Sequence, residues 1–393
     1  MRSSPISTAR GEGASGGQPG AATLAQPEPV DTVGTENTLW AIIFAGGIGS
    51  RFWPLSTPRR PKPVLHLLGE RPLLGDTVDR LAPLIPPDRV LVLTSHDIAE
   101  AVRAAVPEVP SDNVLVEPRP LGTAAALAWG LAVVTARGGS SGVVCALHAD
   151  LAAGFPDEFR AGISRAAAIA LRERALVTLA AAPTRPETSF GYVVPGAPLE
   201  AALPVIRGGA CRATRFVEKP EQDVAGQLIE SGALWHTGVL VARAVDARDE
   251  LFTHARELSA GQAALNAGDL AAFARQVQSI SVERGLLERS DNVIALPVAC
   301  GWDDLGTWEG LRRARELDDD GNGAIGPVHF VDSESNVVHS EAGTVVLFGC
   351  TRMLVVTLPG ITFVTPLDKA ADLKPLLDQL PGSFRIDPTR HAQ

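Results

Sequence analysis

The chain has 393 residues, 45% hydrophobic and 20% charged, with a formal net charge of -10 and a pI near 5.4. That length suits two domains and a tail, and the composition is that of a folded globular protein. The acidic balance excludes nucleic acid as the main partner, since a polyanion needs a clustered basic field, yet it leaves room for a small anion held by a few placed cations.

Residues 1–37 are rich in Gly, Ser, Pro and Thr. They lack both the aliphatic clusters that offset ordering entropy and the apolar core of a secretory signal, so a disordered tail is expected. No apolar run reaches the roughly 18 residues of a membrane span. Four cysteines, at 145, 211, 300 and 350, form no CxxC pair. They read as free thiols in a reducing cytoplasm.

At Leu39 the pattern changes. Leu39 to Phe44 is a short apolar run that delivers Ala45-Gly46-Gly47, the signature of a buried strand feeding a glycine loop. Similar runs recur at Val90 to Leu93, Asn113 to Val116, Gly142 to Leu147 and Ala175 to Leu179. Helical spacing separates them at Leu73 to Leu84, Asp97 to Val106, Thr123 to Ala136 and Phe155 to Arg172. This alternation predicts an α/β domain over 38–318, a Rossmann-like, mixed and mostly parallel sheet flanked by helices, with its ligand crevice at the strands' carboxyl ends. From Gly191 to Val245 the pattern is strand-like, and from Ala247 to Arg275 helical. After the Asp/Gly run at 318–323, short Val-rich strands from His329 to Val364 and a closing helix from Asp368 to Leu380 predict a small β-rich domain over 319–393. No exact internal repeat is visible.

The glycine loop fits neither a dinucleotide fingerprint nor a P-loop, whose Lys directly follows the last Gly. Gly46, Gly47 and Gly49 instead stand with Arg51 close behind and Lys62 further on in a Pro-Lys-Pro setting. Glycines lacking Cβ atoms let backbone N–H groups approach an anion, and two cations then bracket a polyphosphate. Asp150 follows the end of a predicted strand, and Asp304 lies on a Gly-flanked turn. Such carboxylates suit a hard cation, although an isolated turn Asp is also an ordinary turn former. Asp303 reads as a solvated neighbour. Glu218 and Lys219 follow an apolar Phe-Val, so strand alternation sends them to opposite sides unless the strand ends there.

The segment from Ala41 to Pro63 resembles the signature of nucleotide-sugar pyrophosphorylases, and within them the mannose-1-phosphate guanylyltransferases, which show L-A-G-G-x-G-T-R-L-W-P-L-S followed by R-P-K. Here Arg51-Phe52-Trp53-Pro54-Leu55-Ser56 and Arg60-Pro61-Lys62 stand in register. Six further segments follow in order. Glu117-Pro118 with Thr123-Ala124 resembles E-P-x-x-x-N-T-A, His148-Ala149-Asp150 resembles P-A-D-H, and Pro183 to Thr188 with Gly191-Tyr192 resembles the sugar loop. Phe216 to Pro220 matches F-V-E-K-P, Trp235-His236-Thr237-Gly238 resembles W-N-S-G, and Gly301 to Trp308 resembles G-W-x-D-x-G-x-W. Coverage is roughly Leu39 to Leu380.

The resemblance implies a cytoplasmic enzyme, a possible homodimer, that joins GTP and mannose 1-phosphate with Mg²⁺. It implies that Arg51, Lys62 and Lys219 carry the phosphate chemistry. Ala45, Gly46, Gly47, Gly49, Ser50, Glu117, Gly122 and Thr123 would bind the nucleotide, Gly191, Glu218 and Thr237 the sugar, and Asp150 and Asp304 the metal. Trp53-Pro54-Leu55-Ser56 tilts the expected sugar toward mannose.

Several positions depart from the pattern: Pro63 for Gln, Gly122 for Asn, Ala125 for Pro, His148 for Pro and Leu151 for His. Leu121-Gly122-Thr123 is closer to uridylyl and thymidylyl relatives, so another base or hexose stays open, as does a non-catalytic nucleotide-sugar-binding homologue. Some relatives carry a metal-binding isomerase domain after the transferase. This chain reaches Gln393 without a His cluster there, so isomerase activity is not expected.

Overall fold

A computed structural model describes residues 38–199 and 209–391; the tail predicted for 1–37 lies outside them. Strands β1 (Leu39–Phe44), β2 (Val90–Ser95), β3 (Val114–Glu117) and β4 (Val143–His148) pair in parallel in the order β3-β2-β1-β4. Helices α1 (Leu73–Leu81), α2 (Ala99–Ala105) and α3 (Thr123–Gly138) connect them, the first two within predicted helical stretches and α3 running past its predicted end at Ala136. Alternation along β1 sends Ala41 and Ile43 into one apolar layer with α1 and α2, and Trp40 and Ile42 into the other with α3. Fully burying one such aliphatic side chain is worth about 1.5–3 kcal/mol, so the two layers fix which way the strand lies.

Beyond β4 come the short β5 (Leu151–Ala153), helix α4 (Pro156–Glu173) and strand β6 (Leu176–Ala181). The strand-like stretch then gives β7 (Gly191–Pro198), β8 (Cys211–Glu218) and β9 (Leu234–Arg243), with an unpredicted helix α5 (Gln222–Glu230) before β9. The helical stretch resolves into α6 (Ala244–His254), α7 (Gln262–Asn266) and α8 (Leu270–Gln276), followed by β10 (Val293–Pro297), β11 (Trp302–Asp304) and α9 (Trp308–Ala314). The main sheet has nine strands in the order β3-β2-β1-β4-β9-β6-β10-β8-β7. It is mixed: β9 runs antiparallel between β4 and β6, and β8 pairs antiparallel with both β10 and β7. The mixed sheet is as expected; the place of β9 between β4 and β6 is new, because that strand enters from later in the chain.

The C-terminal segment forms β12 (Gly323–Ile325), β13 (Val328–Val331), β14 (Val337–Ser340), β15 (Val345–Phe348), β16 (Met353–Leu358) and β17 (Ile361–Pro366). From β12 to β16 successive strands alternate between two sheets, β12-β14-β16-β17 and β13-β15, with every pairing parallel except β16 with β17. Asn336 bridges the turns: its amide donates to Asn322 Oδ1 at 2.9 Å and to the Cys350 carbonyl at 2.9 Å. The predicted closing helix is interrupted. A single-turn 3-10 segment (Leu367–Ala371) ends at Asp372 in extended backbone, and α10 (Lys374–Gln379) and α11 (Gly382–Ile386) follow as separate turns, each beginning beside a proline.

These strands are not a free appendage. Val337, Leu354 and Val356 share one buried cluster with Phe52, Leu55 and Leu65 of the glycine-loop segment and with Leu305 and Trp308. All four cysteines are free thiols, three buried and Cys350 half-buried. No described helix is long and apolar enough to cross a membrane.

Candidate active site

A cleft of about 580 Å³ opens at the carboxyl ends of β1 and β4, the position expected for a ligand in such a sheet. Its first wall is the loop after β1. Gly49 has φ 77°, and a Cβ there would stand 2.4 Å from Lys62 Cβ, so only glycine lets the Lys62 stem cross the loop. The Lys62 N–H donates to the Ile48 carbonyl at 2.9 Å, and the Ser56 hydroxyl bonds the Ile48 and Gly49 carbonyls. Gly47, Gly49, Ser50 and Arg51 line the cleft with Lys62. Arg51 is exposed, and no ion pair holds it among the described residues.

The floor carries two carboxylates. β5 pairs antiparallel with β11, setting Leu151 opposite Asp304, and this brings Asp150 and Asp304 to one place from 154 positions apart in sequence. Lys62 Nζ lies 2.5 Å from Asp150 Oδ2, with the Lys62 side chain buried and that of Asp150 about one-third exposed. Burial would raise the Asp150 pKa, but the Lys62 ammonium and His148 outweigh it and hold the carboxyl at about 2. Asp304 shifts upward, first by burial and then by repulsion from Asp150. Asp303 is not a solvated neighbour. It forms a two-pronged pair with Arg313 at 2.6 and 2.9 Å and accepts the Asp304 N–H at 2.8 Å, bracing the turn that presents Asp304.

The far wall is set by the end of β8. The strand stops at Glu218, and Lys219 adopts φ 51°, a left-handed conformation that side-chain-bearing residues rarely hold without a constraint. Both residues therefore face the cleft instead of opposite sides of the sheet, with Lys219 Nζ 3.0 Å from Glu218 Oε1. Gly191 leaves room for this arrangement, since a Cβ there would press within 2.9 Å of Glu218 Oε2. Thr237 also lines the cleft, and its hydroxyl donates to the Leu179 carbonyl at 2.8 Å. Thr123, first residue of α3, turns the helix's positive end toward the same space.

Four predicted residues do not line the cleft. Ala45 is buried with its N–H and carbonyl bonded to Leu93 and Thr94, and Gly122, at φ 82°, packs against the Ile280 backbone. Gly46 is exposed, and a Cβ on it would stand 3.8 Å from Glu117 Oε2. Glu117 is buried, its Oε1 has no hydrogen-bond partner, and burial pushes its pKa up to about 7. Trp53, Leu55 and Ser56 are buried as well: Trp53 packs edge-on to Phe363 and donates to the Phe384 carbonyl at 3.2 Å. The Trp-Pro-Leu-Ser run thus anchors the loop to the C-terminal strands.

Sequence reasoning passed over Glu283, which enters the cleft between His148 and His236. Its segment carries no motif. The visible signal is structural, a π-helical turn over Glu283–Leu287, of a kind often found at functional sites.

A layered α/β fold whose parallel strands deliver a glycine loop, a facing pair of lysines and two carboxylates to one cleft defines a protein that handles phosphorylated ligands. The comparisons with known proteins narrow this class. The chain belongs to the nucleotidyl transferase family, whose profile matches residues 40–321, and is an enzyme of the transferase class. It is 31% identical over 350 residues to the mannose-1-phosphate guanylyltransferase of Sinorhizobium fredii, covering 86% of this chain and 67% of that protein. It is 30% identical to the alginate biosynthesis protein AlgA of Pseudomonas putida, covering 90% of this chain and 73% of that protein. The crystal structure of mannose-1-phosphate geranyltransferase from Thermus thermophilus superposes with a TM-score of 0.76 at 30% identity, covering 87% of this chain and 99% of that one.

Proposed function

We propose that this chain transfers the guanylyl group of GTP to mannose 1-phosphate, giving GDP-mannose and pyrophosphate. The observation that carries the reading is the single cleft in which Arg51 and Lys62 lie on one wall and Lys219 on the other, with Asp150 and Asp304 among them. Two phosphorylated substrates need two sets of cations, and the cleft has both.

In this reading an oxygen of the sugar phosphate attacks the α-phosphorus of GTP, forming one P–O bond as the bond to the bridging β-phosphate oxygen breaks and pyrophosphate leaves in line. No side-chain nucleophile is required. Lys219 holds the sugar phosphate, Lys62 neutralises charge growing on the α-phosphate, and Arg51 receives the pyrophosphate. Gly47, Gly49 and Ser50 offer backbone to the phosphates, Thr123 adds a helix N-terminus, and Glu218, Gly191 and Thr237 border the hexose.

The donor set fits Mg²⁺. Asp150 and Asp304 are hard oxygen donors whose mutual repulsion a divalent cation would relieve. Mg²⁺ held by these two would supply charge neutralisation on phosphate oxygens.

Guanine would lie beside the exposed Gly46, next to the cleft-lining Gly47, within reach of Glu117. The buried Glu117 Oε1 lacks a partner, and a carboxylate can accept from the N1–H and N2–H donors of that base.

The test is pyrophosphate release over GTP, ATP, UTP and dTTP against the 1-phosphates of mannose, glucose and N-acetylglucosamine. GTP with mannose 1-phosphate should be fastest. A best rate with UTP or dTTP overturns the guanylyl assignment, and a best rate with another hexose overturns the mannose assignment.

A further inference from the structure

We infer that Glu283 is a second hydroxyl-reading carboxylate at the sugar end of the cleft, and that with Glu218 it decides which hexose 1-phosphate is accepted. The inference rests on the reading above that a sugar 1-phosphate occupies this cleft.

Two imidazoles flank the Glu283 side chain. His236 Nδ1 lies 2.6 Å from the Thr178 hydroxyl, which orients the ring so that Nε2 faces Glu283 Oε1 at 3.9 Å. His148, at the end of β4, faces the same oxygen from its own Nε2 at 4.0 Å. Both separations exceed hydrogen-bond length. The imidazoles therefore border the carboxylate without tying up its acceptor positions, and the side chain lines the cleft at 14% exposure. The backbone adds a tie: Glu288, just past the π-helical turn, accepts the Glu218 N–H at 2.8 Å, so the turn and the end of β8 are set relative to each other.

The chemistry of the occupant follows from charge. A carboxylate repels phosphate, so in a cleft otherwise built for anions Glu283 faces the uncharged part of a ligand. Sugar hydroxyls are the donors available there, and a carboxylate can accept from two vicinal ones. Glu218 borders the same region: burial and the nearby Glu283 charge both raise its pKa, placing the two carboxylates within electrostatic reach. His148 and His236 stand where the resembled pattern has Pro and Asn.

The experiment compares wild type with Glu283→Gln, which keeps side-chain shape, and with His236→Asn. Kinetics are measured for mannose 1-phosphate, its 2-, 3- and 4-deoxy analogues and the nucleotide, with melting curves to confirm folding. Glu283→Gln should raise KM for mannose 1-phosphate about 10- to 100-fold, the scale of a hydrogen bond to a charged group, while KM for the nucleotide stays within about twofold. One deoxy analogue should be disfavoured by wild type and no longer disfavoured by Glu283→Gln. His236→Asn should raise the sugar KM by a smaller factor. Unchanged KM values, or a rise confined to the nucleotide, overturn the assignment, the second outcome moving Glu283 to the ribose. If wild type turns over no substrate pair, the transferase reading fails by itself. Calorimetric binding of mannose 1-phosphate to wild type and Glu283→Gln then decides the carboxylate's role, and equal Kd values overturn it.

Discussion

Arg60 grips Glu341 with two hydrogen bonds, at 2.8 and 2.6 Å, and it stands two residues before Lys62. Glu341 in turn lies 3.1 Å from His339 Nε2. The other His339 nitrogen is 3.2 Å from Arg315, whose guanidinium donates to the Leu67 carbonyl at 3.0 Å. Burial would raise the Glu341 pKa, but the hydrogen bonds from His339 and Arg60 outweigh it and hold the carboxyl at about 2. A folded-state pKa below the unfolded value of about 4.3 stabilises the fold above that pH, and the contribution is lost as pH falls toward 2. The full linkage is about 3 kcal/mol; with both side chains near one-third exposed, solvent screening reduces it to about 1–2 kcal/mol. Glu341→Gln should therefore lower the melting temperature at pH 7 by about 2–6 °C and flatten the acid limb of stability between about pH 4.5 and 3. Because the clamp sets the backbone leading to Lys62, kcat should also fall, by about three- to tenfold, the cost of a slight misplacement of a catalytic cation. A double-mutant cycle with Arg60→Ala, read by thermal melts, isolates the pair. Additivity within about 0.5 kcal/mol, or an acid limb that Glu341→Gln leaves unmoved, refutes the clamp.

Lys62→Met keeps the buried stem but removes the charge 2.5 Å from Asp150, and pyrophosphate-release kinetics should show kcat lower by about 10²–10³ with the protein still folded. Gly49→Ala forces a side chain into φ 77° and against Lys62; melts should show a loss of about 1–3 kcal/mol, whereas Gly47→Ala, with open space at its Cβ, should stay within about 0.5 kcal/mol of wild type. The Glu117 carboxyl, at about 7, accepts hydrogen bonds best when ionised, so KM for GTP should fall as pH rises from about 6 to 8. In Glu117→Gln that slope should vanish, and the preference for GTP over ITP, which lacks the N2 donor, should drop about tenfold.

How much of this was readable beforehand depends on whether the cause was local. β1 and its glycine loop follow from an apolar run ending in Ala-Gly-Gly, and Arg51 and Lys62 follow from their place behind it. The mixed sheet was expected, but the seat of β9 between β4 and β6 was not, because its pairing partners come from earlier in the chain and its own sequence does not name them. Asp303 misled for a related reason. Its partner Arg313 lies on α9, and two adjacent Asp residues look alike until one is seen facing a guanidinium and the other a cleft.

The Trp53-Pro54-Leu55-Ser56 run shows the difference between a residue's diagnostic value and its task. In sequence it points to a sugar, yet Trp53 and Leu55 are buried away from the cleft and Ser56 spends its hydroxyl on the loop's own carbonyls. The C-terminal strands supply the surface that this run requires, through Phe363, Val337, Leu354 and Val356. The run and the phosphate site depend on one backbone: the loop that the C-terminal strands hold from behind is the loop that presents Arg51 and Lys62 in front. A change on the C-terminal side, at Glu341 or Phe363, should therefore reach the nucleotide's phosphates before it reaches the sugar phosphate or the hexose, since Glu218, Lys219 and Glu283 hang from β8 and the π-helical turn on the opposite wall.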